Sequence, residues 1–203
     1  MLKMDHGLIF WDVDTQVDFM LPEGKLYVPG AEAIIPTLAR LTTWAAQNRV
    51  LVIASTDAHQ PGDAEFGLYP PHCLAGTPGQ KKIPQTTLSP QFTIPNRQQA
   101  TLPEAEQYQQ VVIEKQEFDV FTNPNTEALL ARLGRPEIVL YGVVTEICVS
   151  AATRGLLDRG YRVSVVEDAI QHLDQEKGRA FLEEVRQRGG RIVPAAPWLS
   201  AAA

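Results

Sequence analysis

The fold of this chain is decided by the stretch Tyr141-Gly142-Val143-Val144-Thr145-Glu146-Ile147-Cys148-Val149-Ser150-Ala151, which predicts an apolar strand that turns directly into a helix. Residues 136–140 just before it form a short apolar run rich in β-branched residues, which is typical of a strand buried on both faces of a parallel sheet. After it, apolar residues recur at helical spacing until Arg159-Gly160 provides a glycine stop. We therefore expect Cys148 in the first turn of a helix.

Cys148 has two interpretations at this point. Unpaired backbone N–H groups and the helix dipole at a helix start favour an anion, so they predict a lowered thiol pKa and a nucleophile. Free cysteines are also among the most buried residue types, and most of them pack as small apolar side chains. The stretch alone does not decide between a nucleophile and a packing cysteine.

Length and composition favour a single soluble domain over residues 1–203. Apolar residues make up 44% of the chain, and 24 acids against 18 bases give a net charge of −6. Without a basic block or basic amphipathic helix, neither nucleic-acid nor membrane binding is expected, and no segment approaches the roughly 20 apolar residues of a membrane helix. Two cysteines and no signal peptide indicate a cytoplasmic protein, and homo-oligomerisation stays open.

Apolar runs alternate with amphipathic segments along most of the chain. The order predicts an α/β fold, a doubly wound, Rossmann-like parallel sheet of six strands with helices on both faces. Residues 56–107 are rich in Pro, Gly, Thr and Gln, so we expect a long functional loop there. The predicted strands lie at residues 7–14, 50–55, 111–115, 136–140, 161–166 and 191–193. The predicted helices lie at about 34–48, 126–133 and 174–187, and a further helix carries Cys148 near its start and ends at about residue 158.

Three chemically active residues follow predicted strands. Carboxyl ends of parallel strands meet at one edge of a sheet, so Asp14, Lys115 and Cys148 are expected to converge. A carboxylate can move the thiol proton, and an ammonium group can stabilise developing negative charge, which together suit acyl transfer. Taken singly, Asp14 would be a loop cap and Lys115 a solvated charge. Asp12, two residues before Asp14 and so on the same strand face, is an alternative base.

At this point the sequence resembles a known family, the isochorismatase-like cysteine hydrolases, and the nicotinamidases within it. The resemblance rests on Asp14-Thr15-Gln16-Val17-Asp18-Phe19, similar to D-x-Q-x-D-F, on Lys115 after its strand, and on residues 142–149, similar to G-V-x-T-[DE]-x-C-V. It implies the fold of these hydrolases, with Cys148 as nucleophile, Asp14 as proton shuttle and Lys115 as electrostatic partner. It also implies a cis peptide bond between Val143 and Val144, and an oxyanion hole formed by the backbone N–H groups of Val144 and Cys148.

The long loop contains a candidate metal site. Asp57 and His59 are two residues apart, so they share a face in extended chain, and His72 would complete a His/His/carboxylate set. Spacing alone is weak, because histidines on polar loops are usually surface residues. The resemblance to nicotinamidases implies a divalent metal ion, Zn²⁺ before Fe²⁺ or Mn²⁺, that holds a pyridine nitrogen. Ala64, where some relatives have histidine, and Glu146-Ile147, where Asp-Tyr is common, depart from the pattern.

Aromatic residues complete the expected site. The resemblance implies that Phe19 and Tyr69 form walls around a flat heteroaromatic ring. Phe118 and Phe121 could pack in the core or face the site, so they are not included, and Cys73 is expected to be a packing residue.

The resulting hypothesis is a nicotinamidase, also acting on pyrazinamide, that hydrolyses nicotinamide to nicotinate and ammonia through a thioester in NAD salvage and pyridine nucleotide biosynthesis. Its partner would be a small-molecule amide. The alternatives are an isochorismatase-like hydrolase of another small amide or a vinyl ether, and a non-catalytic ligand-binding module on the same fold.

Overall fold

A parallel β-sheet of seven strands forms the centre of the molecule. The structure is a computed structural model, and it describes residues 7–99 and 101–199. The strands are β1 (Leu8–Val13), β2 (Leu51–Asp57), β3 (Gln91–Ile94), β4 (Gln110–Lys115), β5 (Glu137–Val143), β6 (Arg162–Gln171) and β7 (Arg191–Val193). They lie in the order β3-β4-β2-β1-β5-β6-β7, and every pairing is parallel.

Helices cover both faces of this sheet, as the sequence predicts. They are α1 (Val17–Met20), α2 (Ile35–Asn48), α3 (Thr126–Leu133), α4 (Ser150–Asp158), α5 (Gln175–Gln187) and α6 (Ala196–Leu199). Apolar side chains of α3, α4 and α5 form one core with one face of the sheet, and those of α1, α2 and α6 pack on the other. None of the helices in residues 7–99 and 101–199 is both long and apolar enough to cross a membrane.

The sheet has seven strands, so the expectation of six was wrong. The additional strand, β3, is only four residues long and pairs with β4 at the edge of the sheet. It lies within the segment interpreted as a long loop, and Gln91 and Thr93 are exposed. A short edge strand among Pro, Thr and Gln residues lacks the apolar run that identifies a buried strand.

The strand order fixes where the functional residues can meet. The chain passes from β1 to β2 and onwards to one edge of the sheet, and β5 then returns to the free side of β1. In open parallel sheets ligands bind outside the carboxyl ends of the strands at such a reversal. The carboxyl ends of β4, β2, β1 and β5 are consecutive here, and a residue of the candidate site lies at or just after each of them.

Candidate active site

Asp14 occupies a left-handed turn directly after β1. Its φ is +50°, and its N–H donates to the carbonyl of Ser55 at 3.0 Å, which extends the pairing of β1 with β2 by one residue. This backbone turn ends the alternation of the strand, so the expectation that Asp12 and Asp14 share a face was wrong. Asp12 instead pairs with Lys82, and it accepts a hydrogen bond from Thr15 at 3.0 Å.

Lys115 is the last residue of β4, and only 1% of its side chain is exposed. Its Nζ lies 2.9 Å from Asp14 Oδ2 and 3.6 Å from Cys148 Sγ, and it donates to Asp57 Oδ1. Asp57 is the register partner of Lys115 on β2. A buried ammonium group needs negative partners, and Lys115 has two carboxylates together with the thiol.

Cys148 lies in a π-helical turn, Thr145–Val149, that leads into α4. The preceding Val143–Val144 peptide bond is cis, as the resemblance implies. At Gly142 a Cβ atom would lie 2.0 Å from the carbonyl oxygen of Val13, so only glycine allows β5 to approach the end of β1 this closely. This close approach brings the turn containing Cys148 beside Asp14.

Burial dominates the proton affinities of these groups. It raises the pKa of Asp14 to about 6, although the charge of Lys115 opposes this shift. It also raises the pKa of the Cys148 thiol well above its ordinary value, although Lys115 favours the thiolate. The expectation that a helix start would lower the thiol pKa was therefore wrong, because the loss of solvent outweighs the local helix effect. These shifts favour a protonated thiol beside an acid whose pKa is raised to about 6.

A second polar cluster adjoins Lys115. Single ligand atoms of Asp57, His59, Glu65 and His72 all lie within 4.8 Å of one another. Asp57 Oδ2 is 3.8 Å from His59 Nε2 and 3.7 Å from His72 Nε2, and Glu65 is 3.9 and 3.5 Å from the same nitrogens. The structure thus brings together the three residues expected from sequence, Asp57, His59 and His72, and adds Glu65.

The segment that contains His72 is held beside β2 by backbone hydrogen bonds. The N–H of His59 donates to the carbonyl of Cys73 at 3.1 Å, and the N–H of Ala75 donates to the carbonyl of His59 at 2.9 Å. Glu65 comes from a short helical turn, Ala64–Gly67, between the two histidines. Ala64, which stands where some relatives have histidine, gave no indication of a fourth ligand. An acid at the next position was the signal that would have identified Glu65.

The donor atoms of this cluster suit a divalent metal ion. His59 Nε2 and His72 Nε2 are buried without a hydrogen-bond partner among the described residues, and both face the two carboxylates. Their other ring nitrogens are occupied, since His59 Nδ1 lies 3.1 Å from Asp63 and His72 Nδ1 lies 2.8 Å from the carbonyl of Pro70. These contacts fix the tautomers of the two imidazoles. Together with the two carboxylates, the imidazoles match the donor set of zinc.

The opposite charges of this cluster stabilise one another. Burial opposes ionisation of Asp57, but Lys115 and the two histidines outweigh it and hold the pKa of Asp57 well below its usual range. Burial also lowers the pKa of His72, yet its interactions with Asp57 and Glu65 prevail and raise it to about 10. The pKa of His59 is likewise raised, against the effect of burial, by Asp57 and Asp63. The carboxylates therefore favour positive charge here, either as protonated histidines or as a metal ion that displaces their protons.

Members of both clusters line one pocket, which encloses about 430 Å³ including its opening to solvent. Asp14 and Cys148 line it together with Asp57 and Glu65. Phe19 and Tyr69 also line it, and the ring of Phe19 lies 5.3 Å from the ring of His72. Phe118, which was not among the expected site residues, lines the same pocket, and its ring centroid lies 6.2 Å from that of Tyr69 in an edge-to-face arrangement.

A parallel α/β sheet that brings a thiol, a carboxylate and an ammonium group to one pocket is typical of a hydrolytic enzyme. Residues 8–197 match the isochorismatase domain. The chain belongs to the isochorismatase family, and it is a hydrolase of the class that cleaves amide carbon–nitrogen bonds.

The chain is similar to proteins that act on different substrates. Nicotinamidase of Escherichia coli is 26% identical, over 92% of this chain and 94% of that protein. Maleamate amidohydrolase of Pseudomonas putida is 25% identical, over 89% and 80%. The crystal structure of the pyrazinamidase of Pyrococcus horikoshii in complex with zinc has a TM-score of 0.76 and 27% identity, and the match covers 93% of this chain and 99% of that one.

Proposed function

We propose that this hydrolase is a nicotinamidase that converts nicotinamide and water into nicotinate and ammonia. One observation carries the proposal: a single pocket has Cys148 and Asp14 together with part of the Asp57, His59, Glu65 and His72 cluster, and aromatic rings line it. A flat ring amide has matching chemistry, because its carboxamide would face the thiol while its ring nitrogen faces the cluster. The similarity to a nicotinamidase and to a pyrazinamidase supports the same substrate class.

In this proposal Asp57, His59, Glu65 and His72 hold a divalent metal ion, Zn²⁺ before Fe²⁺ or Mn²⁺. When bound, the ion would supply a Lewis-acidic position for the ring nitrogen. The zinc in the Pyrococcus horikoshii pyrazinamidase structure supports this assignment. Phe19, Tyr69 and Phe118 would flank the ring and exclude water from the carboxamide.

The acylation step follows from the three groups at the strand ends. The Asp14 carboxylate accepts the proton of the Cys148 thiol, and the sulfur attacks the carboxamide carbon. The positive charge of Lys115, 3.6 Å from the sulfur, stabilises the thiolate as it forms. The backbone N–H groups of Val144 and Cys148 bind the oxyanion. Asp14 then returns its proton to the amide nitrogen, the carbon–nitrogen bond breaks, and ammonia leaves.

Hydrolysis of the thioester reverses the proton path. Asp14, again ionised, accepts a proton from water as the water attacks the acyl carbon, and the proton passes to the departing sulfur of Cys148. Nicotinate leaves and the protonated thiol is restored. The raised pKa of Asp14, about 6, suits this cycle, because the carboxyl group can both accept and release the proton near that pH. The raised pKa of the Cys148 thiol opposes formation of the thiolate, but it favours return of the proton to the sulfur when the cycle ends.

The charges of the pocket favour an uncharged amide over one that also contains a carboxylate, such as maleamate. Asp14, Asp57 and Glu65 all line the pocket. Lys115, the nearby buried cation, is already paired with Asp14 and Asp57. Away from the proposed metal ion, a substrate carboxylate would therefore meet negative charge without a free cationic partner.

An ammonia-release assay tests the proposal with nicotinamide, pyrazinamide and maleamate, each with and without a chelator. We expect turnover of the two ring amides that the chelator reduces, and no turnover by Cys148→Ala with its metal content unchanged. Turnover of maleamate in preference to nicotinamide would overturn the substrate. Full activity of Cys148→Ala would overturn the mechanism, and an absence of turnover with all three amides would favour a hydrolase of another small amide or of a vinyl ether.

We also propose a cytoplasmic location and a role in NAD salvage. The two cysteines, Cys73 and Cys148, are both free and buried, which suits a reducing compartment. Release of nicotinate from nicotinamide would supply pyridine nucleotide biosynthesis. Homo-oligomerisation stays a prediction that a sedimentation measurement would test.

A further inference from the structure

Gln16 is buried completely and uses both ends of its side-chain amide on the backbone of Asp57. Its Nε2 donates to the carbonyl of Asp57 at 2.8 Å, and its Oε1 accepts from the N–H of Asp57 at 2.7 Å. The same Nε2 also donates to the carbonyl of Gln80 at 2.6 Å. Three bonds to main-chain atoms fix this one side chain.

These bonds take the place of strand pairing that is missing on one side of Asp57. On the other side, Asp57 is in register with Lys115 of β4, and the N–H of Ala58 donates to the carbonyl of Lys115 at 2.8 Å. On the β1 side the ladder reaches Asp14, whose N–H donates to Ser55, and the chain then turns away. The primary amide of Gln16 supplies the donor and the acceptor that a further β1 residue would have provided.

The carboxylate of Asp57 has two tasks that depend on the orientation of its backbone. Oδ1 accepts from Lys115, and Oδ2 faces the Nε2 atoms of His59 and His72 at 3.8 and 3.7 Å. A rotation of the Asp57 peptide would therefore move one carboxylate oxygen away from Lys115 and the other away from the histidines. Gln16 lies only two residues after Asp14, so it also links the position of that acid to the metal cluster.

We propose that Gln16 is a positioning residue that sets the orientation of Asp57, and through it the metal affinity of the cluster and the placement of Lys115. This inference rests on the proposed role of Asp57 as a metal ligand. Gln16 is neither one of the candidate metal ligands nor one of the residues that line the pocket. Its loss acts through the backbone of Asp57, in the manner of outer partners that orient metal ligands.

The test compares Gln16→Met with Gln110→Met. Gln110 is a matched control, because it is also fully buried and bonds two backbone groups of the long loop, the N–H of Leu88 at 3.1 Å and the carbonyl of Thr86 at 3.0 Å. Zn²⁺ affinity is measured by competition with a chromogenic chelator, and thermal stability is measured on the metal-free proteins. We expect both variants to melt earlier and only Gln16→Met to lose affinity, by about 10- to 100-fold.

A second variant, Gln16→Glu, keeps the size of the side chain and the acceptor for the Asp57 N–H but replaces the donor that serves two carbonyls. It should lose Zn²⁺ affinity as Gln16→Met does, and it gives the answer if Gln16→Met does not fold. Wild-type Zn²⁺ affinity in the Gln16 variants would overturn the positioning role of Gln16 and leave the proposed metal site standing. A wild-type protein that binds no Zn²⁺ would overturn the proposed metal site as well, so the two failures are distinguishable.

Discussion

Replacing Lys115 with methionine should destabilise the protein strongly, although methionine fits the space. Lys115 is 1% exposed and pairs with Asp14 at 2.9 Å and with Asp57. Its removal leaves two buried carboxylates without their cation, and breaking a buried pair in this way costs about 3–5 kcal/mol. A domain of this size loses roughly 2–4 °C of Tm per kcal/mol, so we expect a decrease of about 6–20 °C.

Urea denaturation of the metal-free proteins at several pH values measures this effect. Lys115 holds the pKa of Asp57 well below its usual range, so this carboxylate contributes stability above its unfolded pKa and loses it as pH falls. Without Lys115, burial favours the protonated forms of Asp57 and Asp14 in the folded state. The difference between wild type and variant should therefore be largest at neutral pH and shrink as the pH decreases towards 4.

Lys177→Met is the matched control. The Lys177 side chain is 73% exposed and lies 3.5 Å from Asp174, where water screens the pair, so its loss should barely change the unfolding midpoint. A Lys115→Met protein as stable as Lys177→Met at pH 7 would refute the reasoning. So would a stability difference that grows with decreasing pH, because the two carboxylates would then not be the groups that Lys115 compensates.

Three further outcomes test the remaining groups. Because Asp14 must be ionised to accept the thiol proton and its pKa is raised to about 6, kcat/KM for nicotinamide should fall as the pH decreases through that value, and a flat profile from pH 5 to 8 would exclude Asp14 as the base. Glu65→Ala should weaken Zn²⁺ binding by at least the roughly 10- to 100-fold typical of an outer partner, as a chelator competition would show, and unchanged affinity would remove Glu65 from the site. Phe118→Ala should raise KM about fivefold, because one aromatic wall of the pocket is lost. The ring of Phe121 packs against Gly155 and Arg159, so Phe121→Ala should lower only the Tm. Equal KM values for the two variants would remove Phe118 from the pocket.

The sequence was sufficient for those features that depend on strand ends. Asp14, Lys115 and Cys148 follow apolar runs, and parallel pairing must bring such ends to one edge whatever the loops do. The helix at residues 126–133 has a glycine stop and was predicted with its observed bounds. Residues 91–94 were missed because a four-residue edge strand gains its order from pairing with β4, which no local pattern records.

Other features of the site depend on contacts between distant residues. The pKa of Cys148 is set mainly by its burial among residues from several parts of the chain. The position of Cys148 at a helix start therefore predicted a lowered pKa where the structure gives a raised one. Glu65 reaches the histidines because backbone bonds hold residues 73 and 75 against His59. The sharing of Lys115 between two carboxylates required the register of β2 and β4, which sequence spacing does not supply.

The strand order also places the polar groups of the pocket and its nucleophile in different parts of the sequence. In residues 7–99 and 101–199, the half-sheet β3-β4-β2-β1 pairs with the half-sheet β5-β6-β7 only through β1 and β5, and the strands of each half come from one part of the sequence. Asp14, Lys115 and all four candidate metal ligands precede residue 133, whereas Cys148 follows it. During synthesis on a ribosome, the acid, the cation and the ligands emerge before the thiol does. A chain break near residue 135 would cut no strand, so complementation between two fragments, one with the polar groups and one with the nucleophile, becomes a natural way to study this enzyme.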